Sequence, residues 1–268
     1  MALAPLIKLT HTLPLRGWQP VVFIVMLGVA LSACTSTTWK EEVALHDGKK
    51  LIVSRTYTYD PKGLREPFQP DPLKESTLTF TVPETKQTVT WKSDFGRAYQ
   101  DNLVLYMVDI LNGTPYLVTT PGGCLAYNKW KRPNPPYVFL KYDGEWKRIP
   151  VEQFPTEFKE LNVILSPNSN EVKKKEILNM TARDGFVSVE NIKKLNRDSM
   201  THTIDRTVIK TAKAVSCGEM IYNGDGGWIG LDWFRKQPSY EACLKYCAQE
   251  KMSAQYCPCS TLFKGKEK

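Results

Sequence analysis

Residues 41–59 read EEVALHDGKKLIVSRTYTY, and the fold class turns on how this stretch is parsed. Two runs, residues 41–45 and 51–59, flank His46-Asp47-Gly48. An Asp-Gly pair supplies the positive-φ residues of a tight hairpin turn, so the stretch predicts strand, turn, strand. The same pattern recurs downstream. Residues 77–82 and 88–91 alternate apolar and polar side chains around a five-residue connection, which predicts a second hairpin. Residues 103–111 and 116–119 flank Asn112-Gly113, and residues 137–142 and 145–151 flank Asp143-Gly144. Four hairpins give about eight antiparallel strands.

Two irregular stretches interrupt them. Residues 60–76 carry Pro61, Pro67, Pro70 and Pro72, and proline removes ladder donors, so a long loop is expected there. Residues 128–136 (NKWKRPNPP) are basic, aromatic and proline-rich. After residue 165 the pattern changes to helix. Residues 171–182 are weakly amphipathic, and Ser188 is placed to cap a helix carrying Val189, Ile192 and Leu195. Residues 239–252 (SYEACLKYCAQEKM) are the clearest helix, with Ser239 as cap and Cys243, Tyr246 and Cys247 at i, i+3, i+4. Residues 201–215 fit strand or helix equally. The expected fold is α+β: a β-rich portion over 39–165, then a cysteine-containing α-rich portion over 166–268.

The chain begins differently. Lys8 and Arg16 form a positive n-region without acidic residues, followed by a 13-residue apolar run at 21–33 (VVFIVMLGVALSA). A comfortable membrane span needs about 20 apolar residues, so the run reads as a signal h-region. It ends in Leu31-Ser32-Ala33-Cys34, which resembles the lipobox of bacterial lipoproteins. Small residues at 32 and 33 admit a peptidase, and the Cys34 thiol is open to alkylation by a diacylglycerol group. The alternative is an uncleaved anchor with Cys34 as an ordinary core cysteine. On the lipoprotein reading, residues 1–33 are removed and 34–38 form a polar tether. Thr35 in place of Asp after the lipidated cysteine implies the outer membrane.

Cleavage leaves 235 residues, with 34 basic side chains against 28 acidic ones, a net charge of +6. Such a charge favours anionic lipid head groups or other acidic polymers. Nucleic acid is not expected, because the basic residues form no long cluster and export removes the opportunity. The tightest cluster, residues 173–175, reads as a solvated helix face.

Six further cysteines remain: Cys124, Cys217, Cys243, Cys247, Cys257 and Cys259. An even number in an oxidising compartment suggests disulfides, although six cysteines allow fifteen connectivities. The expected set is Cys124–Cys217 joining the two portions, with Cys243–Cys259 and Cys247–Cys257 nested. A four-cysteine zinc site and a redox-active pair are the alternatives. Both lack a CxxC motif.

Signals for chemistry are sparse. Beyond residue 33 only His46 and His202 remain as histidines, so a Cys/His or Ser/His pair would need one of them. Carboxylate pairs such as Glu41/Glu42 or Asp225/Asp232 suit glycoside hydrolysis, but any chain of this size contains such pairs. No metal or cofactor motif is present, and no catalytic residue is assigned. Residues 223–234 (NGDGGWIGLDWF) read as a glycine turn with core aromatics, or as a ligand loop. In the other irregular stretch, which is where a partner is expected to dock, Trp130 sits among Lys129, Lys131 and Arg132, three charges that should keep the loop solvated. It either folds its ring back onto the domain or offers it to a partner.

WKEEVALHDG (39–48), NGTPY (112–116), RPNPPYVFLKYDG (132–144) and GGWIGLDW (226–233) resemble segments of an uncharacterised family of proteobacterial lipoproteins. The resemblance implies no activity and transfers no catalytic residue. The expected function is therefore a non-enzymatic envelope component. It would be held to the membrane through Cys34 and would bind an envelope protein or an anionic polymer. The rival is a hydrolase of an envelope polymer using Asp/Glu residues.

Overall fold

Eight of the strands fold as two antiparallel meanders. In the computed structural model, which describes residues 36–61, 71–94, 102–167, 171–199, 201–209 and 217–263, the first sheet comprises β1 (Ser36–Ala44), β2 (Lys50–Tyr59), β3 (Leu73–Thr81) and β4 (Thr88–Asp94). The second comprises β5 (Leu103–Leu111), β6 (Thr114–Pro121), β7 (Val138–Asp143) and β8 (Glu145–Ile149). Each sheet runs in sequence order. Gly48, Gly113 and Gly144 all have positive φ, at 82°, 72° and 74°, as the Asp-Gly and Asn-Gly turns require. The described residues lie within one compact unit, Thr35–Lys268.

Period-two alternation places Trp39, Glu41 and Val43 of β1 inward beside Leu51, Val53, Arg55 and Tyr57 of β2. The opposite face of this sheet is hydroxyl-rich, with Thr38 bonded to Thr56 and Thr79 to Thr90 across strands. In β5 a bulge at Tyr106 shifts the register between Leu105 and Met107. Without that extra residue Leu103 and Leu105 could not share a face with Val108 and Ile110. Those four residues join the inward side chains of the first sheet in the main core. Met107, Val118 and Phe139 face the other way, into a second core closed by Phe154, Phe158 and Ile204. Burial on both faces explains why β5 reads as nearly continuous apolar sequence.

The helices come next. Helix α1 (Cys124–Lys129) interrupts the second meander, and α2 (Glu171–Asp184) and α3 (Val189–Leu195) add Ile177, Met180 and Ile192 to the main core. Ser188 caps α3 by accepting from the Asn191 amide. Between the two helices, Val187 pairs with the edge of β1, donating to Lys40 O and accepting from Glu42 N. A short hairpin follows, β9 (Met220–Tyr222) with β10 (Trp228–Gly230), and then α4 (Leu231–Arg235), α5 (Tyr240–Gln249) and α6 (Cys259–Phe263). These pack a small third core around Phe234, Cys243, Cys247 and Cys259. No described helix is long and apolar enough to cross a membrane.

The α+β class is therefore as expected, with four departures in detail. Ser36, Thr37 and Thr38, read as tether, open β1 instead. The strand expected from residue 77 begins at Leu73, directly after Pro72. Residues 124–129, within the β-rich portion, are helical because Gly122 and Gly123 end β6 and the chain turns without proline until Pro133. Residues 201–209 are irregular apart from a bridge between Glu160 and Thr203. Cys34 and the segment before it lie outside the described residues.

Candidate functional site

The cysteines pair as named above. Cys124–Cys217, Cys243–Cys259 and Cys247–Cys257 all stand at disulfide distance. Sulfurs of Cys243, Cys247 and Cys259 lie within 4.8 Å of one another because the last two disulfides stack. Paired sulfurs have no lone thiolate to offer, so the geometry is that of a cystine core and not of a zinc knuckle.

Cys124–Cys217 draws two sequence features together. It fastens the start of α1 to the irregular segment that enters β9, and Asn128 and Arg132 complete the join. Asn128 donates to Gly218 O and accepts from Met220 N. Arg132 donates to Cys217 O and stacks its guanidinium 4.8 Å from the Tyr127 ring centroid. Arg132, expected as a solvated contact residue, is thus a structural clamp. Trp130 also turns inward. It is half-buried and packed against the main core, with its Nε1 buried and unbonded.

Lys129 and Lys131 stay at the surface. Lys131 has φ 59°, the position after a helix where glycine is usual. Its amide bonds Asn128 O while the Arg132 amide bonds Tyr127 O, which closes α1 with a Schellman pattern. Holding a side chain in that left-handed conformation costs roughly 1–2 kcal/mol. The backbone turn brings Lys131 to the rim of a cleft shared with Lys129 and the β9–β10 hairpin.

Across the cleft, Tyr222 and Trp228 are cross-strand partners with ring centroids 5.5 Å apart. Tyr256 stands edge-on to Tyr222 at 5.2 Å. The glycine loop between them is built by Asn223, whose side-chain oxygen accepts from the Asp225 and Gly227 amides. Gly224 has φ 92°, and a Cβ there would collide with Ser253. The glycines are therefore required by the turn, while the flanking aromatics line a cavity of about 820 Å³. Of the aromatics expected in the core, only Phe234 is fully buried. Trp228 is half-buried, and Trp233 is 58% exposed beneath the Lys236 ammonium. The lining combines half-buried aromatic rings with Lys129, Lys131 and a single carboxylate, Asp225, a set that suits a ligand with flat apolar rings and net negative charge.

A second cleft, of about 660 Å³, lies at the His46 turn. Asp109 is buried at the end of β5 and accepts from His46 Nδ1 at 2.8 Å, from the His46 amide at 2.9 Å and from the Ile110 amide at 2.7 Å. Burial pushes the Asp109 carboxyl above its usual range, against the pull of these hydrogen bonds. In the sequence His46 sits in a turn signal, and Asp109 is 63 residues away. Only the tertiary fold joins them. Glu41, one of the candidate carboxylates, is fully buried in an ion pair with Arg55 and is closed to substrate.

No family model, no curated protein and no solved structure matches this chain.

Proposed function

We propose that this chain is a lipid-anchored protein of the bacterial cell envelope whose soluble domain binds an anionic glycan without chemical turnover. The observation that carries the reading is the cleft where Lys129 and Lys131 face Tyr222, Trp228 and Tyr256. Aromatic faces stack on sugar rings, and the lysines supply a salt-sensitive attraction for carboxylates or phosphates. The net positive charge outside residues 1–33 favours the same ligands. The hydrolase reading is the weaker one, because the carboxylate with a raised pKa, Asp109, has both oxygens committed to holding the His46 turn.

Co-sedimentation with isolated peptidoglycan sacculi, with cellulose as the neutral control, tests the binding. The Lys129→Ala/Lys131→Ala pair and Trp228→Ala are each expected to reduce sacculus capture severalfold at unchanged melting temperature. Trp130→Ala should instead lower stability by about 2–3 kcal/mol, somewhat below the cost at a fully buried tryptophan. Capture by the lysine pair variant equal to that of the parent protein would refute the cleft as the binding site.

The anchor rests on the Leu31-Ser32-Ala33-Cys34 lipobox, and Thr35 favours the outer membrane, facing the periplasm. Cys34→Ser is expected to abolish incorporation of an alkyne palmitate and to leave an unprocessed precursor. Equal labelling of the two proteins would remove the lipoprotein reading.

A further inference from the structure

The hydrophobic cores divide at a seam in the chain. The first two draw their side chains from residues 39–204, and the third draws its own from residues 221–263. Among the described residues, no core side chain is shared between the two sides. Asn128 crosses the seam by donating to Gly218 O and accepting from Met220 N, and Arg132 by donating to Cys217 O. Cys124–Cys217 is the one disulfide that spans it. The glycan cleft opens on this seam, with Lys129 and Lys131 on one side and Tyr222, Trp228 and Tyr256 on the other.

The three cystines differ in exposure. Cys243, Cys247 and Cys259 are buried in the third core, and the half-buried Cys257 is bonded to Cys247. Cys124 is exposed, Cys217 is half-buried, and neither belongs to a hydrophobic core. Thiol–disulfide exchange needs an incoming sulfur in contact with a sulfur of the cystine. Access therefore sets which cystine reacts, and exposed ones are the labile ones. A thiolate reaches Cys124 in the folded protein, whereas the nested pair is reached only by opening the third core. Once Cys124–Cys217 is open, water competes for the Asn128 and Arg132 hydrogen bonds, each of which is weak by itself. Both sides keep their own cores, so they can part without unfolding.

We propose that Cys124–Cys217 is a reversible redox switch on the glycan cleft, opened by a dithiol oxidoreductase of the envelope and closed by the disulfide form of such a protein. The inference rests on the glycan reading for its output and on the seam for its mechanism. One thiolate of the dithiol attacks Cys124 Sγ. The Cys124–Cys217 bond breaks, a mixed disulfide to Cys124 forms, and Cys217 leaves as a thiolate that takes up a proton. The second thiol, deprotonated, attacks the sulfur of its own protein in that mixed disulfide and releases Cys124, which is protonated in turn. The chain gains two electrons and two protons, and the dithiol loses them in becoming a disulfide. Lys129 and Lys131 then separate from the aromatic hairpin, and an anionic glycan held from both sides is released.

The test equilibrates the full-length chain in detergent, with Cys34 alkylated, across rising ratios of reduced to oxidised dithiothreitol. Acid quenching, alkylation and peptide mass spectrometry count the thiols at each cystine. Cys124 and Cys217 are expected to open at a ratio at least about tenfold below that needed for the other four cysteines. Hydrogen exchange should then rise in residues 128–132 and 217–222 while residues 239–259 stay protected. Sacculus capture should fall severalfold in step and return on reoxidation. The Cys124→Ser/Cys217→Ser variant should capture as weakly as the reduced protein and be indifferent to dithiothreitol. Earlier opening of the nested cystines overturns the proposal, as does unchanged exchange at the seam or unchanged capture once Cys124 and Cys217 are open. A protein that opens at the seam on reduction but captures no sacculi in either state would strike the glycan reading and leave the redox hinge standing.

Discussion

Arg55→Met is expected to destabilise the folded chain by about 3–5 kcal/mol, the largest effect of any single substitution considered. Arg55 is 1% exposed and Glu41 0%, so neither charge can fall back on water once its partner is gone. Glu41 Oε1 accepts from Arg55 Nη1 at 2.9 Å and from Trp39 Nε1 at 2.6 Å, and Oε2 accepts from the Ile164 amide at 2.9 Å. Arg55 also donates to Ile164 O and to the Tyr57 hydroxyl, and lies over the Trp39 and Tyr57 rings. Removing the guanidinium leaves a carboxylate in the core with two of its three donors. Urea denaturation followed by tryptophan fluorescence measures the loss. Replacing Glu41 and Arg55 together with apolar residues of similar volume should recover most of it, because desolvation offsets much of the pair's attraction. A double variant as unstable as Arg55→Met would show that the network contributes more than charge compensation.

Loss of the Cys124–Cys217 disulfide should cost nearly as much. It closes a loop of sequence separation 93, for which the chain-entropy model gives about 4.7 kcal/mol. The Cys124→Ser/Cys217→Ser variant should therefore unfold at markedly lower urea. It should also lose sacculus capture at concentrations where it is still folded. The disulfide holds α1, with Lys129 and Lys131, against the strand that leads into Tyr222. Arg132 and Asn128 make the same junction by hydrogen bonds alone, and their retention sets how much of the cleft survives. Stability within 1 kcal/mol of the parent protein would mean that those bonds suffice and that the cystine is dispensable.

The β-rich half was legible because its signals are local. Each Asp-Gly or Asn-Gly pair demands positive φ, and each alternation of apolar residues specifies one buried face. The capped helices at Ser188 and Ser239 were legible for the same reason, since a cap and its first turn lie within four residues. Cysteine pairing was open to fifteen solutions by counting, and only the fold selects among them.

What the chain kept hidden depends on contacts between distant positions. Alternation puts Glu41 and Arg55 on the core face, but whether they are tolerated there depends on Ile164, 109 residues beyond Arg55. His46 reads as a turn residue until Asp109 is placed under it by the bulge-adjusted strand β5. Trp130, Lys131 and Arg132 look alike in sequence, three neighbours in a basic stretch. A helix end with a left-handed residue turns the tryptophan against the core, the arginine to the Cys217 carbonyl and Lys131 to the cleft. Local patterning determined the strands, turns and caps, because those energies act between near neighbours. The tertiary structure alone decided which charges are buried, which aromatics face solvent and which side chains share a cleft, because burial is a property of the whole packed chain.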